Sequence, residues 1–188
     1  MQLHEKLEAF IDRSLKMKQA LGKEPVLHQA FVGPVGSGKM MHARIYAQRL
    51  HDVGLTPDAP IEINCSEFSF IGQAAQTFSK AAENSTLIVD EIDKIASGIF
   101  GQEAISSLLQ IMESKNCHVI LVGDAKGMEA IMRSNPGLKA RMPAPFDVQN
   151  PDGPEIPNTP ETWGADVTLK NAIKPLRPIK LMRTPRPV

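Results

Sequence analysis

Two short stretches carry residues able to do chemistry together. The first is Phe31-Val32-Gly33-Pro34-Val35-Gly36-Ser37-Gly38-Lys39-Met40, which fits G-x-x-x-x-G-K through Lys39. A glycine-rich turn between a strand and a helix points successive backbone N–H groups at one spot, and the start of the helix adds partial positive charge there. Such a corner binds phosphate, with Lys39 reaching the β- and γ-phosphates. Gly33, Pro34, Val35, Gly36, Ser37, Gly38, Lys39 and Met40 are the candidate binding residues. The second stretch is Thr86-Leu87-Ile88-Val89-Asp90-Glu91, an apolar run ending in two carboxylates about 50 residues downstream. At that place Asp90 is the candidate ligand of Mg²⁺ and Glu91 the candidate general base that polarises a water for attack on the γ-phosphate. Each stretch alone also fits an ordinary strand end; their pairing is what points to phosphate chemistry.

One residue breaks the pattern. The position after the lysine normally holds a serine or threonine whose hydroxyl ligates Mg²⁺, and here it is Met40. A thioether is soft, whereas Mg²⁺ wants hard oxygen. Ser37, two residues before the lysine, is no obvious replacement.

The elements that must position these groups follow from periodicity. Residues 2–21 place Leu3, Leu7, Phe10, Ile11, Leu15 and Leu21 at helical spacing, an amphipathic helix whose stripe is core packing or, less favoured, a docking face. Val26 to Val32 reads as a buried strand and Met41 to Leu50 as a helix. Ile61–Asn64 reads as a second strand, Cys65 to Phe70 as a loop, and Gly72 to Glu83 as a helix. Thr86–Glu91 is a third strand, with Asp93 and Lys94 after it as a local charge cluster. Gln102 to Ser114 is a helix, Cys117 to Gly123 a fourth strand, and Lys126 to Arg133 a short helix ended by Asn135-Pro136-Gly137. A fifth short strand is expected at Phe146–Val148. Alternating strands and helices imply right-handed crossovers and a parallel five-stranded sheet with helices on both faces, an α/β fold. Ligands bind at the carboxyl ends of such strands, so Gly33–Lys39, Asn64, Asp90, Glu91 and Asp124 are expected on one edge.

Composition narrows the remaining classes. The chain has 188 residues with formal net charge zero, so no global field draws it to nucleic acid or to a membrane. Cys65 and Cys117 lack metal-ligand spacing and read as reduced thiols of a cytoplasmic protein. No apolar run approaches membrane-spanning length. The organisation expected is an amphipathic helix at 1–22, a core at 23–148 and an extended tail at 149–188. From Pro143 onward prolines recur every few residues, which denies helix and central strand alike. The tail's early part is acidic (Asp147, Asp152, Glu155, Glu161) and its end basic (Lys170, Lys174, Arg177, Lys180, Arg183, Arg186). The basic end reads first as a solvated segment and second as a contact for an acidic partner.

Taken together the motifs resemble the AAA+ ATPases, and more narrowly the branch that includes red-type Rubisco activase and related bacterial AAA+ proteins. The resemblance rests on Gly33–Lys39, on Leu87–Asp93, on the run from Gly101 to Glu113, and on Val119–Gly123 followed by Met128 and Asn135-Pro136-Gly137-Leu138-Lys139-Ala140-Arg141. It covers roughly residues 24–148. It implies an AAA+ P-loop core that binds ATP and Mg²⁺. It implies that Asn64 is the polar residue able to hold Glu91 inactive, and that Arg141 is an arginine finger serving the nucleotide of the next subunit in a ring. A guanidinium suits that task because it is planar, always charged and reads phosphate oxygens in pairs. Phe70-Ile71-Gly72 resembles an aromatic pore loop that grips a protein substrate, with core packing of Phe70 an equal alternative. The sequence departs from the family at Met40, at Lys139 in place of an arginine, and at Asp124, whose carboxylate is expected near the γ-phosphate and would repel it. No helical lid is expected after Arg141, which would weaken nucleotide binding and ring assembly.

The function expected is therefore ATP binding with weak hydrolysis, coupled to remodelling or assembling a partner protein in a homo-oligomer. The alternative is a degenerate adaptor or structural subunit that keeps fold and interface without hydrolysis. A nucleic-acid-linked ATPase has only the basic tail in its favour.

Overall fold

A computed structural model of the chain describes residues 3–22, 27–68, 72–81, 85–96, 101–113, 117–142 and 145–149. The Phe70 pore-loop expectation, nearly all of the proline-spaced tail and the expectation about a lid after Arg141 lie outside the described residues. The elements in order are α1 Leu3–Leu21, β1 Gln29–Val32, α2 Lys39–Asp52, β2 Ile61–Asn64, a single 3₁₀ turn at Cys65–Glu67, α3 Gln73–Ala81, β3 Thr86–Asp90, α4 Ile92–Ala96, α5 Gly101–Glu113, β4 His118–Gly123, α6 Ala125–Ser134, α7 Pro136–Arg141 and β5 Phe146–Asp147.

The five strands form one parallel sheet in the order β2-β3-β4-β1-β5. Side chains alternate across it, as a two-residue period requires. Ala30, Val32, Ile63, Leu87, Val89, Val119 and Leu121 pack on one face, where α3, α5, α6 and α7 bring Phe78, Leu108, Ile131 and Leu138. Phe31, Ile88, Ile120 and Val122 pack on the other, where α1 and α2 bring Leu7, Ile11, Tyr46 and Leu50. The expected α/β architecture with both faces covered is therefore present. The stripe on α1 is core packing: Leu7 and Ile11 are each 2% exposed. Burying side chains of this size stabilises by about 1.5–3 kcal/mol each, so α1 is held to the sheet by its apolar face.

The structure differs from the sequence reading at two helices. Asp93 and Lys94 sit in a short helix, α4, that the sequence reading did not expect; the Asp93 side chain lies against Gly123 and Gly127 at the C-terminal end of β4, while Lys94 is exposed. Asn135-Pro136-Gly137 does end α6, but it also starts α7. The Asn135 N–H still bonds the Ile131 carbonyl of α6 at 3.0 Å, while its Oδ1 accepts from Leu138 N at 3.1 Å. Pro136 takes the first helical position, where its missing N–H costs nothing.

Candidate functional site

Parallel register fixes which residues share an edge. Val32 lies beside Gly123 and beside Asp147, and Asn64 lies beside Asp90. The loops leaving β1, β2, β3 and β4 thus all open on the carboxyl edge. The Gly33–Lys39 loop, Asn64, the Asp90–Glu91 pair and Asp124 meet there, as the strand ends require.

The loop after β1 turns on two glycines with positive φ, Gly36 and Gly38, both at 81°. Side-chain-bearing residues avoid that region. Ser37 N donates to Pro34 O at 3.2 Å, and α2 starts at once from Lys39, two residues earlier than its spacing suggests. The Lys39 ammonium donates to Pro34 O at 3.1 Å. Val35, at the tip, is 99% exposed. Gly33 leaves no room for a side chain, since a Cβ there would lie 2.6 Å from Val148 Cγ2 and 2.7 Å from Ser37 Oγ. The Ser37 hydroxyl is thus buried under the loop against Gly33. Met40 packs against the apolar cluster of Phe31, Tyr46 and Leu50. Neither side chain offers an oxygen at the loop's lip.

Across the edge, Asp90 is half-buried. Desolvation raises its pKa above the ordinary carboxylate value, against the opposing effects of the Glu91 N–H, which donates to Asp90 Oδ1 at 2.9 Å, and of the Lys39 cation. Glu91 has φ 54°, the one positive φ outside glycine among the described residues. Its Oε2 accepts from the Ser66 hydroxyl, in the 3₁₀ turn that follows β2. Asn64 caps that turn, accepting Ser66 N at 2.9 Å, and stands 2.6 Å from Ser66 Oγ. Asn64 therefore reaches Glu91 by way of Ser66. Arg44 on α2 makes a paired contact with Glu62 on β2, at 2.9 and 2.7 Å, which ties the helix behind the loop to the strand bearing Asn64.

Asp124 does not stand as a bare charge toward the phosphate corner. Its Oδ1 accepts Gly127 N at 2.8 Å as the N-cap of α6, and that bond lowers its pKa, with Lys39 adding a smaller effect in the same direction. Asp93 lies behind it, so close that a Cβ at Gly127 would sit 2.3 Å from Asp93 Cβ. Arg141 lies at the opposite edge. It pairs with Glu113, the last residue of α5 ahead of β4, at 2.5 Å and donates to Gly137 O at 3.0 Å. His28, just before β1, has its pKa pushed down to about 4 by burial, and the Arg141 cation acts in the same direction. Strand starts and strand ends are opposite edges of a parallel sheet, so Arg141 cannot serve the corner of its own chain.

Ser66, the Arg44–Glu62 pair and the unusual backbone of Glu91 escaped the sequence reading. The Asn-x-Ser spacing is the one signal that pointed to the first, since it is a turn-capping pattern.

The model of the "ATPase family associated with various cellular activities (AAA)" matches residues 30–148. The chain belongs to this AAA family of ATPases. It is 30% identical over 155 residues to Protein CfxQ of Xanthobacter flavus, covering 76% of this chain and 49% of that protein. It is 32% identical over 148 residues to Protein CbbX of Cereibacter sphaeroides, covering 68% and 46%. These relatives bear out the branch that the motifs resemble. The chain spans about half the length of the curated relatives it matches. Among solved structures, the Aeropyrum pernix ORC2 protein in its ADPNP–ADP complexes superposes with a TM-score of 0.57 at 15% identity, over 78% of this chain and 48% of that one. The Thermotoga maritima RuvB branch migration motor gives 0.51 at 18%, over 76% and 44%. At such identities the likeness is one of fold. Among the described residues no helix is long and apolar enough to cross a membrane, and both cysteines are buried free thiols.

Proposed function

We propose that the AAA core binds ATP at the Gly33–Lys39 corner and hydrolyses it slowly, as part of an oligomer that remodels or assembles a partner protein. The observation that carries the reading is the meeting, on one sheet edge, of an amide-lined loop ending in Lys39 with the Asp90–Glu91 pair. Lys39 would exchange the Pro34 carbonyl for phosphate oxygens, a charge-assisted contact in place of a neutral one. Glu91 would take the proton of the attacking water. Arg141, placed away from its own corner, would act on the nucleotide of a neighbouring copy after leaving Glu113. The ion pair with Glu113 is a weak restraint, since the two side chains are 35% and 59% exposed.

The residues fit Mg²⁺ with one protein oxygen fewer than usual. Mg²⁺ is commonly held by one or two carboxylates, substrate phosphates and waters, and Asp90 supplies the carboxylate. When bound, the ion would neutralise charge between the β- and γ-phosphates. Calorimetric titration with ATP tests the reading: micromolar binding is expected, lost in Lys39→Ala, with phosphate release abolished in Glu91→Gln. A folded chain that takes up no ATP would refute it.

One observation favours a second reading. Met40 packs into the apolar cluster instead of offering an oxygen, as suits an adaptor that keeps nucleotide and interface without turnover. Equal background phosphate release from wild type and Glu91→Gln, with ATP bound by both, would decide for the adaptor.

A further inference from the structure

Behind the phosphate corner, Arg44 of α2 grips Glu62 of β2 with two bonds, Nε to Oε2 at 2.9 Å and Nη2 to Oε1 at 2.7 Å. α2 is the helix that Lys39 begins, so the grip ties the phosphate loop's helix to the edge strand of the sheet. The pair also faces Asp90. Ile88 packs with Tyr46 and Leu50 of α2, and side chains two apart on a strand share a face, so Asp90 lies on the α2 side. Glu62 pairs with Ile88 in the register and Asn64 with Asp90, which sets Glu62 on that side too. Two residues along a strand span about 6.6 Å and neighbouring strands lie about 4.8 Å apart, so the Glu62 and Asp90 backbones are about 8 Å apart.

These charges act on one another. The Arg44 pKa is raised first by its bond to Glu62 and, in smaller part, by the charge of Asp90. The Asp90 pKa is raised first by desolvation, and Glu62 adds to it in the same direction. Asp90 is the carboxylate that would hold Mg²⁺, while Met40 packs away without offering an oxygen. An ion held by one protein oxygen fewer leans more on the charges around its ligand.

We propose that Arg44 and Glu62 set the cation affinity of the Asp90 site by opposed charge: Glu62 is an outer carboxylate that attracts the ion, and Arg44 is the cation that offsets it. The inference rests on the ATP and Mg²⁺ reading above. Both residues act from behind Asp90 without touching the ion. The two side chains are 51% and 25% exposed, so a dielectric near that of water applies. A unit charge about 8 Å from a divalent ion then changes its affinity about fivefold.

Mn²⁺, read by its electron spin resonance signal, tests the proposal in a titration of the full chain with ADP at low ionic strength. Glu62→Gln leaves the guanidinium unopposed and should weaken Mn²⁺ uptake about fivefold. Arg44→Met leaves the carboxylate unopposed and should strengthen uptake by the same factor. The double variant should return to the wild-type affinity. All three variants lose the grip alike, so a purely structural brace predicts weaker uptake in every one; that pattern overturns the proposal, and so does equal affinity throughout. The contrast between the two single variants should shrink as salt rises, and a contrast indifferent to salt also overturns it. A wild type that binds ADP but takes up no Mn²⁺ sinks this inference alone. A wild type that binds no ADP sinks the nucleotide reading. Broadening of the Asp90 amide signal by Mn²⁺ alone then decides: a decrease from Arg44→Met through wild type to Glu62→Gln supports the pair, and any other order overturns it.

Discussion

Asp124 separates two physical accounts of the phosphate corner, and substitution can tell them apart. A carboxylate aimed at the γ-phosphate from about 4 Å would cost about 4 kcal/mol at an effective dielectric of 20. Removing that charge would then tighten ATP binding by two orders of magnitude or more. The structure instead gives the carboxylate to the Gly127 N–H at the start of α6. Asparagine caps a helix about as well as aspartate, and alanine loses about 1 kcal/mol. For a chain of this size 1 kcal/mol corresponds to about 2–4 °C in the unfolding midpoint. Asp124→Asn is therefore expected to keep the midpoint within about 1 °C of wild type, and Asp124→Ala to lower it by about 3 °C. Titration with a fluorescent ATP analogue should show Asp124→Asn binding tighter by no more than about fivefold, the ~1 kcal/mol that a solvent-exposed charge exerts at ~4 Å, since the carboxylate acts on Lys39 only weakly. The pH dependence has a defined sign. The folded pKa of Asp124 is depressed, so its contribution is present above the ordinary aspartate value of 3.8 and is lost as pH falls through the lower folded value. A hundredfold gain in affinity for Asp124→Asn, or an equal destabilisation by Asn and Ala, would refute the capping account.

Three further outcomes are expected. Gly127→Ala should destabilise by about 1–2 kcal/mol in denaturant titration, because the added Cβ would lie 2.3 Å from Asp93 Cβ and overpacking outweighs the gain in helix propensity. His28, His42 and His118 are held neutral by burial, each with its pKa pushed down to about 4. Their unfolded forms take up protons below about pH 6.5, so stability is full above that pH and is lost as pH falls toward 4. Near pH 5 the slope should approach about 4 kcal/mol per pH unit from three such protons, measured by urea midpoints at constant ionic strength. Met40→Thr restores a hydroxyl after Lys39 and should lower the Mg²⁺ concentration for half-maximal phosphate release by about tenfold, the low end for contacts that support a metal; an unchanged Mg²⁺ requirement would favour the adaptor.

How much of this was legible depends on where the information lies along the chain. β2 at Ile61–Asn64 and β3 from Thr86 were readable because a short apolar run bounded by turn residues has few alternatives. The two chemical stretches were readable because each is contiguous. Their meeting on one edge followed from parallel topology alone, before any strand order was known. What stayed hidden is non-local or double-valued. Asn135 reads as a helix breaker because Asn-Pro-Gly usually is one, yet its Oδ1 starts α7 while its N–H still closes α6. Helix α4 is five residues long, too short for a periodic signal. Asp124 was placed correctly at its strand end, but a strand end is also a helix start here, and the cap claimed its oxygen.

The same limit explains why Ser66 could not be read in advance. Its chain neighbours mark it as a turn residue, and that is true: Asn64 and Ser66 do build the turn. The contact that gives it consequence spans 25 residues, to Glu91 just past the end of the adjacent strand β3. It exists because β2 pairs with β3 so that Asn64 lies opposite Asp90, which brings Ser66, two residues past the end of β2, to Glu91, one residue past the end of β3. A slip of that register by one residue would turn the Asn64 and Asp90 side chains to opposite faces and remove the contact while leaving every motif intact. The motifs thus supply the reacting groups, and the β2–β3 register decides whether the base is restrained.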